Sequence, residues 1–122
     1  MLEKITSEYA KFPDSFIEKV NFTPISKTSE SIIEIILSCF NIKKGNKKEI
    51  IKLILKKIEI LKFNQFNDNP SLFLDEIYIN NENDLITIDF FPIDHFDYLE
   101  ENPNSAFIIK CKEISYEVLL SE

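Results

Sequence analysis

Asn46-Lys47-Lys48-Glu49-Ile50-Ile51-Lys52-Leu53-Ile54-Leu55-Lys56-Lys57-Ile58-Glu59-Ile60-Leu61-Lys62 is the most regularly patterned run in this chain, and its reading decides the fold. At 3.6 residues per turn, Ile50, Ile51, Ile54, Leu55, Ile58 and Leu61 share one face. Lys48, Lys52 and Lys56 form a stripe on the opposite side. Asn46, with Glu49 three residues on, fits a capping box in which Asn replaces Ser or Thr. The pattern predicts a helix over 46–62. Leu53 and Ile60 fall outside the main apolar face, so this helix would be covered on more than one side.

Upstream, residues 29–40 carry Ile32, Ile33, Ile35, Ile36, Leu37, Cys39 and Phe40. The pairs 32/36, 33/37 and 36/40 have helical spacing, and Ser29 or Thr28 could cap the start. The expectation is a second helix. A buried strand is the alternative, because β-branched isoleucine is stiff at χ1 and favours sheet. A short helix over 14–20 is expected after Pro13, from Phe16, Ile17 and Val20.

Downstream of Pro70 the period falls to two. Ile77 and Ile79 alternate with Glu76 and Tyr78, and Ile86, Ile88 and Phe90 alternate with Thr87 and Asp89. The intervening Asn80–Asp84 is rich in residues that tolerate left-handed backbone, which predicts a hairpin of strands 72–80 and 85–92 with a longer loop. Strands are also expected over 106–112 and 113–120. Phe107, Ile109 and Cys111 alternate on odd numbers, whereas Ile114, Tyr116 and Val118 alternate on even ones. A bulge or bend at Lys112-Glu113 would keep both sets on the core side. The sum is a single α+β domain over 1–122, its helical N-terminal half packed on a three- to four-stranded, mainly antiparallel sheet.

The chain has 122 residues, enough for one core that buries roughly 65% of the unfolded chain's surface. Its net charge is −7, and it contains no arginine. Arginine is the preferred bidentate reader of phosphate and guanine, so nucleic acid is a poor candidate ligand. The single glycine, Gly45, leaves no phosphate-cradling loop. Cys39 and Cys111 each sit in an apolar run and read as small core residues, not as a disulfide framework or a zinc site. The N-terminal residues lack the apolar stretch of a signal peptide, and no run approaches the roughly 20 apolar residues of a membrane span. A cytoplasmic, membrane-independent protein is expected.

Charge layout is the distinctive feature. Residues 43–62 hold eight lysines and two acids. Residues 67–109 hold ten acids and no lysine or arginine. Within that acidic region, Phe96 and Tyr98 lie among Asp94, Asp97, Glu100 and Glu101. Aromatic anchors ringed by carboxylates suit a basic partner: the ring supplies a buried hot spot and the charge steers the encounter. The plainer reading is that Phe91 and Phe96 cover a minor core and the acids are a solvated face. The lysine stripe is read in the same way, as the solvated side of an amphipathic element.

Catalysis competes poorly. His95 is the one histidine. Nucleophile–base catalysis needs a histidine oriented by a third group, and neighbours on one loop, such as Asp94 and Asp97, rarely converge on it. The same three residues offer too few ligands for a metal at any recognised spacing. No cofactor is expected, and no enzyme.

In small size, acidity, Ile/Asn/Lys-rich composition and lack of catalytic residues, the whole chain resembles bacterial toxin-immunity proteins of the contact-dependent growth-inhibition type. The resemblance rests on no motif. It implies a protein that binds a basic toxin C-terminal domain, often a nuclease, through Asp94, Phe96, Asp97, Tyr98, Glu100 and Glu101. Other interaction proteins (a phage-type inhibitor, a nucleic-acid mimic, an assembly subunit) are the alternative, and a small hydrolase built on His95 is the least favoured reading.

Overall fold

The structure, a computed structural model, describes residues 1–27, 30–64 and 73–122. It overturns the expected fold class. The chain is mostly sheet, and there is no helical half. The order of elements is α1 (Leu2–Tyr9), β1 (Ser15–Thr23), β2 (Ile32–Asn41), a 3-10 turn (Ile42–Lys44), β3 (Lys47–Phe63), β4 (Phe73–Leu74), β5 (Tyr78–Glu82), β6 (Leu85–Asp89), β7 (Ile93–Asp94), β8 (Leu99–Glu100) and β9 (Phe107–Ser121). Seven of the strands form one antiparallel sheet in the order β4-β1-β2-β3-β9-β6-β5, and β7 pairs with β8 separately.

All three expected helices, over 14–20, 29–40 and 46–62, are strands. In β3, Glu49, Ile51, Leu53 and Leu55 are buried, while Lys48 is exposed and Ile50, Lys52, Ile54 and Lys56 are only partly covered. That is period two. The stripe 48/52/56 misled because a step of four residues lies on one face of a strand and nearly on one face of a helix. The pairs 32/36, 33/37 and 36/40 carry the same ambiguity. In β2 the strand alternative is the correct one: Ile33, Ile35, Leu37 and Cys39 point inward. The expected cap at Thr28 or Ser29, the break at Pro70 and the start of a strand at Leu72 lie outside the described residues.

The α-helix lies where none was expected. Leu2, Ile5 and Tyr9 are spaced i, i+3, i+7, and Ile5 and Tyr9 are fully buried. α1 packs against β2, β9 and the 3-10 turn. Tyr116 of β9 donates a hydrogen bond to Glu8, and burial first, then that carboxylate, pushes its phenol up to about 12.

The sheet curls because its two edges are neighbours in sequence. β4 and β5 lie at opposite ends of the strand order, yet only Asp75, Glu76 and Ile77 separate them. Leu74 and Tyr78 are thus at most about 14 Å apart along the chain. Residues 11–14 run beside this link: Asp14 N–H donates to the Asp75 carbonyl at 3.0 Å, and Ile77 N–H to the Lys11 carbonyl at 2.8 Å. The enclosed core includes Ile17, Ile35, Leu53, Ile88, Phe107 and Ile109.

Two further expectations are refined. The β5–β6 hairpin has a two-residue turn, with Glu82 opposite Leu85, not a longer loop. Asn83 and Asp84 have φ of 54° and 61°, the left-handed pair that matches the twist of the strands. β9 runs unbroken from Phe107 to Ser121. Its burial changes phase between Cys111 and Ile114, beside Lys57 of β3, whose φ is 56°; the register shifts once between Ile58 and Ile60 of β3 and again where Leu119 of β9 is passed over between Ile50 and Ile51.

Candidate functional site

Of the six residues singled out in the acidic region, five come together on one projection. Ile93 pairs with Glu100 and Asp94 with Leu99, leaving His95-Phe96-Asp97-Tyr98 as the tip of a small hairpin. His95 N–H donates to the Tyr98 carbonyl at 3.0 Å, which closes the loop. The Asp94 carboxylate accepts from Phe96 N–H at 2.8 Å. The sixth residue, Glu101, turns away and pairs with Lys110 of β9 at 3.3 Å.

Phe96 is 103% exposed, more open than in an extended peptide, and its φ is 84°. A bulky residue at positive φ is uncommon and costs of order 1–3 kcal/mol unless its surroundings hold it there. Here the Asp94 side chain does the holding. Tyr98 is 54% exposed, and its ring stacks on His95 with centroids 4.6 Å apart. His95 Nε2 lies 2.8 Å from the Glu100 carboxylate. The tip therefore presents one unsupported aromatic and one braced aromatic among Asp94, Asp97 and Glu100. Phe91 behaves differently and packs against the core. Covering a minor core thus describes Phe91 but not Phe96.

The base of the hairpin is clamped by a residue that sequence reading missed. Asp89, at the end of β6, is fully buried. Its Oδ1 accepts from Phe91 N–H at 3.0 Å and its Oδ2 from Asn102 N–H at 2.7 Å. Asn102 Nδ2 in turn donates to the Phe91 carbonyl at 3.1 Å. One carboxylate thus ties together the chain entering and the chain leaving the hairpin. The only hint in the sequence was an acid directly before Phe90-Phe91, at a position that strand alternation assigned to the polar face.

Asp94 is engaged with Phe96 N–H and does not orient the His95 imidazole; Glu100 does, through Nε2, with Tyr98 stacked on the ring. The two thiols lie in the core, where burial pushes Cys39 up to about 12 and Cys111 to about 11. Among the described residues, no group of three His, Cys, Asp or Glu side chains is placed to hold a metal ion. No helix among them is long and apolar enough to cross a membrane.

Two lysines of β3 are paired across the sheet. Lys52 lies between Glu34 of β2 and Glu117 of β9, at 3.5 and 3.4 Å, and Lys57 pairs with Glu113 at 3.0 Å. Of the stripe residues Lys48, Lys52 and Lys56, Lys52 is the one placed in a cross-strand ion pair among the described residues.

A separate buried cluster closes the opposite part of the core. Glu49 points inward from β3 and is 1% exposed. Its Oε1 accepts from Tyr9 Oη and Asn41 Nδ2, both at 2.9 Å, and its Oε2 accepts from Ser121 Oγ at 3.1 Å. Burial works to raise its pKa, but the three hydrogen bonds and the Lys44 ammonium outweigh it and hold the carboxyl below its usual range.

No family model, curated protein or solved structure matches this chain. Its function must be argued from these residues.

Proposed function

We propose that this chain is a cytoplasmic, non-enzymatic immunity or inhibitor protein that docks on a basic toxin domain through the 93–100 hairpin. The observation that carries the reading is Phe96: a fully exposed aromatic, held at positive φ on a clamped hairpin and flanked by carboxylates. Leaving such a ring in water gives the isolated fold nothing. Buried in a partner's pocket, it supplies the apolar hot spot around which binding energy concentrates. Asp94, Asp97 and Glu100 add a field that accelerates encounter with a positive surface and weakens as salt rises. The cleft of a nuclease domain, built for phosphate, has that character. Steric occupation of the cleft by the hairpin excludes the substrate backbone.

The test is affinity capture with the tagged protein at low and high salt, alongside a Phe96→Ser, Asp97→Asn variant. The expected result is a basic domain retained by the wild type at low salt, lost at high salt, and poorly retained by the variant. The captured domain's toxic or nuclease activity should disappear on adding wild-type protein. Equal retention by the variant would refute the hairpin as the docking surface.

A further inference from the structure

Two recesses flank the hairpin. One, of about 190 Å³, lies between the hairpin and residues 73–76. Phe73, Phe91 and Pro92 supply its apolar surface, and Asp75, Glu76 and Asp94 stand around it. The other, of about 210 Å³, shares Glu76 and Asp94 and is lined by Lys11 as well. A cation is therefore already present at the second recess, and none lines the first.

Five other surface carboxylates do have a lysine partner. Glu34 and Glu117 pair with Lys52, Glu113 with Lys57, Glu59 with Lys112 and Glu101 with Lys110. Among the described residues no lysine pairs with Asp75, Glu76 or Asp94. The sequence from 63 to 109 contains no lysine or arginine that could do so. The larger clefts lack this character. The one of about 480 Å³ is lined by Lys110 and Lys112, both already paired, and the one of about 600 Å³ mixes lysines with acids.

We propose that the recess between the hairpin and residues 73–76 receives a lysine or arginine side chain of the partner. The inference rests on the docking reading above and names the chemistry that the partner brings. A long basic side chain has two parts, a methylene stem and a charged head, and this recess has a surface for each. The stem lies against Phe73, Phe91 and Pro92. The head donates charge-assisted hydrogen bonds to Asp75, Glu76 or Asp94. An acidic side chain is repelled there. A purely apolar one would strip water from three carboxylates without replacing their hydrogen bonds.

The probe is the capped peptide acetyl-Gly-Arg-Gly-amide, titrated into ¹⁵N-labelled full-length protein at low salt and followed by amide shifts. The control is the same peptide with citrulline, which keeps the shape and loses the charge. The arginine peptide should give saturable shifts centred on Asp75, Glu76, Phe91 and Asp94, and the citrulline peptide should give at least about tenfold weaker binding. Asp75→Asn with Glu76→Gln should abolish the difference, and the variant's unchanged spectrum elsewhere shows that it is folded. Equal binding of the two peptides, no shifts, or shifts spread over the carboxylates of the sheet would overturn the proposal. The docking reading is tested separately by Phe96→Ser, which should leave peptide binding intact. A protein that binds the arginine peptide but captures no basic domain keeps the recess and loses the inhibitor reading.

Discussion

Replacing Glu49 tests whether its buried hydrogen bonds hold the fold as the geometry implies. Two of them converge on Oε1, from Tyr9 and Asn41, and one reaches Oε2 from Ser121. They join α1, the end of β2, β3 and the last residue of β9. Hydrogen bonds to a charged group contribute about 1.5–3 kcal/mol each, against a desolvation cost of several kcal/mol for the carboxylate. Lys44, at 3.9 Å and half exposed, adds little. Glu49→Ala removes the acceptor and leaves three donors facing a void, a loss of about 3–5 kcal/mol, comparable to breaking a buried ion pair. At this chain length that lowers Tm by roughly 10–20 °C. Glu49→Gln is milder. Its carbonyl can replace Oε1 for Tyr9 and Asn41, and its amide can donate to Ser121 Oγ, which also accepts, so the expected cost is about 1–2 kcal/mol.

Urea unfolding at pH 7, followed by circular dichroism, measures both variants. A Glu49→Ala loss under about 1 kcal/mol would show that the cluster does not hold the fold, and equal losses for Ala and Gln would show that charge, not the count of satisfied donors, governs the site. The pH dependence is a second check. Glu49 has a folded-state pKa below its unfolded value, near ~4.3. Between those two values the unfolded chain binds more protons, so stability rises with pH. The contribution is complete above the unfolded value and lost as pH falls through the folded one. Glu49→Gln should remove this part of the acid dependence, and an unchanged acid limb would refute it.

Other outcomes follow from single contacts. Phe96→Ser, where the side chain is fully exposed, should change stability by no more than about 0.5 kcal/mol while costing about 2 kcal/mol or more in partner binding, read by urea unfolding and titration calorimetry. Asp89→Ala should destabilise the fold by about 2–4 kcal/mol and speed amide exchange at Phe91 and Asn102, whose N–H groups lose their buried acceptor. Cys39 and Cys111, buried and with raised pKa values, should resist maleimide at pH 8 in the native protein and react promptly in denaturant; fast native labelling would contradict their placement in the core. Gly45→Ala should cost about 1 kcal/mol from its left-handed backbone alone, because no atom lies within 4 Å of the added methyl; a much larger loss in thermal unfolding would count against that geometry.

How far the fold was legible depends on the spacing of the residues that carry the signal. In β6, and within Ile109–Lys112 and Ile114–Val118 of β9, polar residues alternate singly with apolar ones, and period two fits best. In β2 and β3 the repeats fall at intervals of four, which a helix and a strand satisfy almost equally. Ile50 and Ile54 made the ambiguity worse. They lie on the outer face beside Lys48, Lys52 and Lys56, so the polar side of β3 is itself half apolar. The discriminating residues were Leu53, which the helix left off its face, and the β-branched isoleucines. Sheet burial resolves them: Leu53 sits between Ile35 of β2 and Tyr116 of β9, both inward-facing partners that lie far away in the chain. No local window contains that information. Helix α1 was legible in Leu2, Ile5 and Tyr9, but its short length makes it dependent on packing against the sheet.

The site divides along the same line. An excess of acid over 67–109 is a property of composition, and the sequence states it outright. Which of those acids share a surface is a property of the sheet. Asp89 and Glu101 belong to the acidic run, yet one is buried as a clamp and the other is neutralised by Lys110. Asp75 and Glu76, some twenty residues upstream, join the hairpin only because the curled sheet brings the link between its edge strands beside residues 11–14. The fold thus sorts similar carboxylates into different roles. Asp94, Asp97 and Glu100 stay beside Phe96, the most exposed of the described aromatic rings, and the proposed docking surface rests on that coincidence, not on the acid count.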